Sequence, residues 1–215
     1  MNRKSKITTL LAGVIGLVFS MYGSGAFAAI AGSVHDFSDG LDHDGTAMAA
    51  EGTWNPNGEI CAVCHTPHGG SAVTDEYLWS RDYSATTFTT YTSSTLVGTA
   101  ADPTAAGGVS KLCLSCHDGT VALGAFKGGV SAAERVADYG GGFANVGTVL
   151  SDDHPISIPL PAAGGAWKAP GSAKVYGGKV ECASCHDVHD STPAVDKLLR
   201  VSNASSTLCL DCHVK

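Results

Sequence analysis

The one sustained apolar run in this chain lies at its start, from residue 7 to residue 19. Arg3, Lys4 and Lys6 precede it, and Ala26, Phe27 and Ala28 follow it. A basic segment, a short apolar stretch and small residues at the positions a signal peptidase reads form an export signal. The run is short against the roughly 20 apolar residues of a membrane span, and Gly23, Ser24 and Gly25 dilute its end. The sequence therefore predicts a signal peptide over 1–28, with a mature chain that begins near Ala29 and carries no membrane span. No cysteine lies near the cleavage point, so lipid attachment is not expected.

Beyond residue 28 the pattern changes. Few stretches keep a helical or a strand period, and Gly, Ser, Thr and Pro fill the spaces between them. Residues 86–99 are rich in Thr, Tyr, Phe and Val and predict a short hairpin or extended ribbon. Residues 155–178 hold Pro155, Pro159, Pro161 and Pro170 and several glycines, and read as extended loop. Short helices are expected at residues 132–136, at 194–201 and around each cysteine pair. The predicted fold class is mostly irregular, with short helices and at most a small β-hairpin. The division expected is a signal peptide and one domain over 29–215, in loose halves 29–150 and 151–215.

The chain has 215 residues with 44% apolar residues, but only 7% are aromatic and 27 are Gly. Much of the apolar share is Ala and the signal. Such a chain is poorly placed to build a large aliphatic core, so another source of buried apolar mass is expected. Charge narrows the class further. The whole chain carries 13 basic and 20 acidic residues. Loss of residues 1–28 removes three basic residues and no acidic one, which leaves a strongly acidic mature chain. Nucleic acid and anionic lipid are therefore excluded as expected partners.

The cysteines supply the chemistry. All eight fall in pairs with two residues between: Cys61 and Cys64, Cys113 and Cys116, Cys182 and Cys185, Cys209 and Cys212. His65, His117, His186 and His213 follow the pairs directly, to give CAVCH, CLSCH, CASCH and CLDCH. C-x-x-C-H is the attachment signature of c-type haem. Two thiols add to the vinyl groups on one porphyrin edge, and the adjoining imidazole reaches the iron from the same side. A disulfide framework would explain the even cysteine count but not the histidines. Structural zinc takes two such pairs per metal, and thioredoxin-like chemistry takes one pair near a βαβ unit. Four covalently bound haem c groups are expected.

Five histidines remain: His35, His43, His68, His154 and His189. An iron held by imidazole on both faces has no open position and serves electron transfer, whereas a vacant face admits substrate. His68 and His189 each lie three residues after a proximal histidine, in CAVCHTPH and CASCHDVH. Neither can fold back to the far face of its own porphyrin, so each is expected to serve a neighbouring iron. Pro155 biases His154 toward an extended backbone, with a nearby carboxylate expected to orient its ring. His35 on the N-terminal arm completes the expected distal set of His35, His68, His154 and His189. His43 is the spare. The acids around it, Asp36, Asp39, Asp42 and Asp44, lack the spacing of a calcium loop. Trp54, Trp79, Trp167, Tyr77, Tyr83 and Phe126 are candidates to pack on porphyrins. Met48 is the one plausible methionine ligand beyond the signal, so His/Met ligation is limited to one haem at most. The sequon at Asn203 carries little weight.

Together the residues 35–38 (HDFS), 58–60 (GEI) running into CAVCHTPHG, CLSCHDGT from Cys113, 153–156 (DHPI), Glu181 into CASCHDVH, and the terminal CLDCH span nearly the whole mature chain. This ordered set resembles the paired-CxxCH multihaem cytochromes of metal-reducing bacteria, and within them the small tetrahaem outer-surface members that form extracellular haem filaments. The resemblance implies bis-histidine ligation of four closely spaced haems. It also implies one distal ligand that crosses to an adjacent subunit, His68 by position, with His35 the other candidate. The expected function is electron transfer, as a filament subunit or a periplasmic carrier, without catalysis. The expected partners are other cytochromes or further copies of the chain, and an extracellular acceptor such as a metal oxide. The alternative is a multihaem reductase with one open haem site.

Overall fold

A computed structural model describes residues 30–31, 33–38, 54–69, 76–104, 108–130, 135–136, 144–189 and 198–215. The expected signal peptide, His43 with Asp39, Asp42 and Asp44, and Met48 lie outside the described residues. So do 132–134 and 194–197, most of two expected helices. Of the described ends of those segments, Val136 and Leu198 lie in 3-10 turns, and Arg135 and 199–201 are not helical.

Regular structure is sparse, as the sequence predicts. Helix α1 runs Ser110–His117 and contains the second cysteine pair. Helix α2 is a single turn, Cys182–Cys185. Short 3-10 turns cover Glu76–Leu78, Ala204–Ser206 and Cys209–Asp211. Strands β1 (Ile158–Pro159) and β2 (Lys179–Val180) form the one sheet among the described residues, antiparallel, with Ile158 opposite Val180.

The small hairpin is thus not where the sequence places it. Residues 86–99 form no strand and make only an isolated parallel bridge, Thr89 to Val149. Local side chains explain the difference. The hydroxyl of Ser84 accepts the amide of Thr86, and that of Ser93 accepts the amide of Thr95. Such bonds compete with a ladder. The strands lie instead at the edges of the Pro-rich segment expected to be loop, where Pro159 sits at a strand end that needs no donor.

Two small apolar clusters serve as the core. Trp54, Val63, Leu123 and Val136 form one, with Phe37, Cys64, Cys116 and Phe126 against them. Phe88, Leu114 and Leu150 form the other, with Ile156. Cysteines of the first two pairs therefore line the larger cluster. Among the described residues, no helix is long and apolar enough to cross a membrane.

Candidate functional site

Each Cys-x-x-Cys-His segment closes one helical turn. The amide of His65 donates to the carbonyl of Cys61 at 2.8 Å, that of His186 to Cys182 at 3.1 Å, and that of His213 to Cys209 at 3.0 Å. The second segment lies inside α1. Residues i, i+3 and i+4 share one side of such a turn, so both thiols and the imidazole leave together. All eight cysteines are free thiols, so the disulfide reading has no support in the structure.

The imidazoles are oriented by backbone carbonyls. Nδ1 of His65 lies 2.7 Å from the carbonyl oxygen of Tyr77. Nδ1 of His117 lies 2.5 Å from that of Ala144. Nδ1 of His154 lies 3.0 Å from that of Pro155. A carbonyl only accepts, so each Nδ1 donates and Nε2 keeps its lone pair, the tautomer a metal requires. For His154 the sequence suggests a carboxylate in this role. Asp152 and Asp153 are exposed, and the adjacent carbonyl of Pro155 is already within reach.

Three of the proximal rings face a second histidine. The ring centres of His65 and His189 are 6.0 Å apart, those of His117 and His35 5.9 Å, and those of His213 and His154 6.4 Å. A metal between two imidazoles, with metal–nitrogen bonds of about 2.0 Å as at zinc and roughly 1.1 Å more to each ring centre, separates the centres by about 6 Å. His189 thus meets the proximal ring of another segment rather than its own. His68 is exposed, and among the described residues its ring makes no ring contact or hydrogen bond. The two histidines at the same sequence offset have different environments. His186 lies near both His35 and His117, whose basicity it helps to lower.

Burial dominates the electrostatics. It lowers the pKa of His35 to about 4, with His117 and His186 adding to the effect. Burial likewise lowers His117, against the opposing pull of the Ala144 carbonyl. Both rings are therefore held neutral and able to ligate. The Nδ1 of His35 is buried with no hydrogen-bond partner. Burial pushes the Cys64 thiol up to about 12 and raises Cys116, Cys185 and Cys212. Cys113 is raised well above the usual range, first by its hydrogen bond to Cys182 and then by burial. The second and third segments therefore touch through their first cysteines. Cys182 moves the other way, lowered first by that same hydrogen bond.

Aromatic rings accompany the histidines. Trp79 meets His65 edge-on at 5.8 Å, and Trp167 packs on His213 at 4.4 Å. Trp54 lies instead in the core between Phe37 and Phe126. Tyr77 is exposed, and Tyr83 lies beneath the Lys111 ammonium.

A structural repeat was not foreseen from the sequence. In the first segment the amide of Thr66 donates to the carbonyl of Leu78, and that of Ser80 returns to Cys64. In the third, Asp187 donates to Leu198 and Arg200 returns to Cys185. Leu78 and Leu198 both adopt left-handed backbone, φ 54° and 56°, a costly conformation for leucine. The signal was the matching leucine about 16 residues after each first cysteine. Two buried charged residues, Arg81 and Glu181, were also missed, because a lone Arg or Glu carries no motif.

The donor set fits covalent haem: free thiol pairs on single turns, each joined to an imidazole. Three of these imidazoles are opposed by a second at a metal-spanning distance. The two thiols of a segment would hold each group as thioethers, and the imidazoles would hold its iron. Comparison with known proteins agrees in part. Residues 174–215 match a family model described as the doubled CXXCH motif, which covers the third and fourth segments. No curated protein matches the chain.

Proposed function

We propose that this chain, a multihaem c-type cytochrome with covalently bound haem c, moves electrons along four closely spaced haems, each iron gripped by two imidazoles. The observation that carries the reading is the set of facing imidazole pairs. They support His189 as second ligand to the iron of His65, His35 to that of His117, and His154 to that of His213. Haem supplies a one-electron centre. The chain keeps the imidazoles neutral, fixes their tautomer through carbonyls, and closes both axial positions. Contacts between consecutive segments support a continuous line: Cys64 beside Cys116, Cys113 against Cys182, and Cys185 beside Cys212.

The chain works outside the cytoplasm, as a subunit of an extracellular filament. His68 is the ligand that crosses to the next copy. Its exposure supports this, and the contact of half-buried His35 with His117 weighs against that residue. Electrons leave to another cytochrome or to an extracellular acceptor such as a metal oxide.

Mass spectrometry of the mature polypeptide should show the added mass of four haems, and electron paramagnetic resonance should show only low-spin ferric iron. Fewer haems would remove the four-centre chain. A stoichiometric high-spin signal in native material would establish a reductase instead. His68→Ala should keep all four haems and lose end-to-end assembly under negative-stain imaging. Intact fibres from that variant would exclude His68 as the link.

A further inference from the structure

Three charged side chains, Arg81, Asp118 and Glu181, are buried near the attachment segments without an ion-pair partner among the described residues, and Arg81 and Glu181 lie at opposite ends of α1. Arg81 is 1% exposed. Its guanidinium donates to the carbonyls of Leu123 at 2.8 Å, Ala122 at 2.9 Å and Ser115 at 3.5 Å, and Nε has no partner. Glu181 is also 1% exposed. Its Oε2 accepts the amide and hydroxyl of Ser110 and the hydroxyl of Ser157, and Oε1 has no partner. Asp118 is committed to the amide and hydroxyl of Thr120, and Asp82, the neighbour of Arg81 in the chain, is exposed.

The two charges mark opposite ends of α1. Ser110 opens that helix, and Ser115 lies in its last turn. A helix N-terminus favours an anion and a C-terminus a cation, which explains how both are tolerated without counter-ions. The same contacts place them along the line of haem attachment. The neighbour of Arg81, Ser80, bonds the carbonyl of Cys64, and the guanidinium reaches the carbonyl next to Cys116. Arg81 thus stands between the first and second segments. Glu181 directly precedes Cys182, whose amide bonds the Ser110 hydroxyl. It stands between the second and third.

We propose that Arg81 and Glu181 form a fixed, buried pair of opposite charges that grades the reduction potentials along the haem line. The first-segment haem sits above the third, and the second lies between them. This rests on the reading of four bound haems. A buried cation destabilises the ferric centre next to it and so raises its potential. A buried anion does the reverse. Neither residue touches a reacting atom, so both are positioning residues for charge. At roughly 10 Å and an effective dielectric near 20, a unit charge changes the ferrous-to-ferric ratio of a neighbouring haem by about tenfold. For a one-electron couple that ratio is about 59 mV.

The test is a redox titration of the holoprotein followed by nuclear magnetic resonance, with each haem assigned by contacts to its own segment. In the unmodified protein the first-segment haem should have a higher midpoint than the third, by an amount unchanged between low and high salt. Arg81→Gln should lower the first and second haems by about tenfold in that ratio. Arg81→Lys should restore most of it. Glu181→Gln should raise the second and third haems by a similar factor. A reversed order in the unmodified protein, which needs no variant to fold, overturns the proposal. So does Lys that behaves as Gln, or a uniform shift of every haem, as loosened packing would give. Haem counting by pyridine haemochrome on the same samples separates this outcome from failure of the four-haem reading.

Discussion

His189→Ala is the most direct probe of the ligand assignment. In the structure the His189 ring stands 6.0 Å, centre to centre, from that of His65, while the Nδ1 of His65 is held by the Tyr77 carbonyl. On the proposed assignment, removal of the His189 side chain should open one face of one iron and leave its other ligand oriented. Every haem should stay attached, because no thiol changes. One iron in four, that of the Cys61–Cys64 segment, should turn high-spin, so about a quarter of the integrated ferric signal in electron paramagnetic resonance should move. Loss of an imidazole that favours the ferric state should also raise that haem's midpoint. Axial ligation spans about 0.8 V overall, so a rise well beyond the tenfold equivalent of about 59 mV is expected. Millimolar imidazole should restore the low-spin signal. His68→Ala, at the same offset in its own segment, should leave the first-segment iron low-spin; in the dissociated subunit, mutated or not, the one high-spin iron should be that of His186, whose second ligand the next copy supplies. If His189→Ala stays wholly low-spin, or if the high-spin iron maps to the third segment, the pairing is wrong.

Gly58→Ala should act at a distance on a different iron. Gly58 has φ +61°, and an added Cβ would lie 2.8 Å from the carbonyl oxygen of Ser38. The arm over 33–38 must then shift, and with it His35. High-spin iron at the second segment, with a stability loss of about 1–2 kcal/mol from the left-handed backbone alone, is the expected result in the same spectra and in a denaturant titration; an unchanged spectrum would show that the arm yields without moving His35. Acid should destabilise the fold through His35 and His117. Burial lowers His35 to about 4 and lowers His117, so the unfolded chain binds more protons. Stability is full above the ordinary histidine value of about 6.5 and falls as pH drops toward 4. Denaturant titrations across that range should show the slope, and its persistence undiminished in His35→Gln would assign it to other groups.

The attachment chemistry was legible in the residues because it is local. One turn of helix determines where Cys61, Cys64 and His65 point, and no tertiary contact is needed to bring them together. The sparse fold was legible for a related reason. Few aliphatic residues and many Gly, Ser and Thr leave little for a helix or sheet to bury. The position of the hairpin was not. A two-residue strand is chosen by its partner rather than by its own propensity, and residues 86–99 satisfy their amides with nearby hydroxyls instead.

The spare histidines show the limit most clearly. His68 and His189 share one local sequence pattern, yet one lies in solvent and the other faces His65. The sequence by itself determined that imidazoles were present in sufficient number. Which ring meets which depends on how segments far apart in the chain pack, and no local pattern records that. The same holds for Arg81 and Glu181. Each is an ordinary residue in the chain and becomes a buried charge only when α1, α2 and the 122–126 loop close around it.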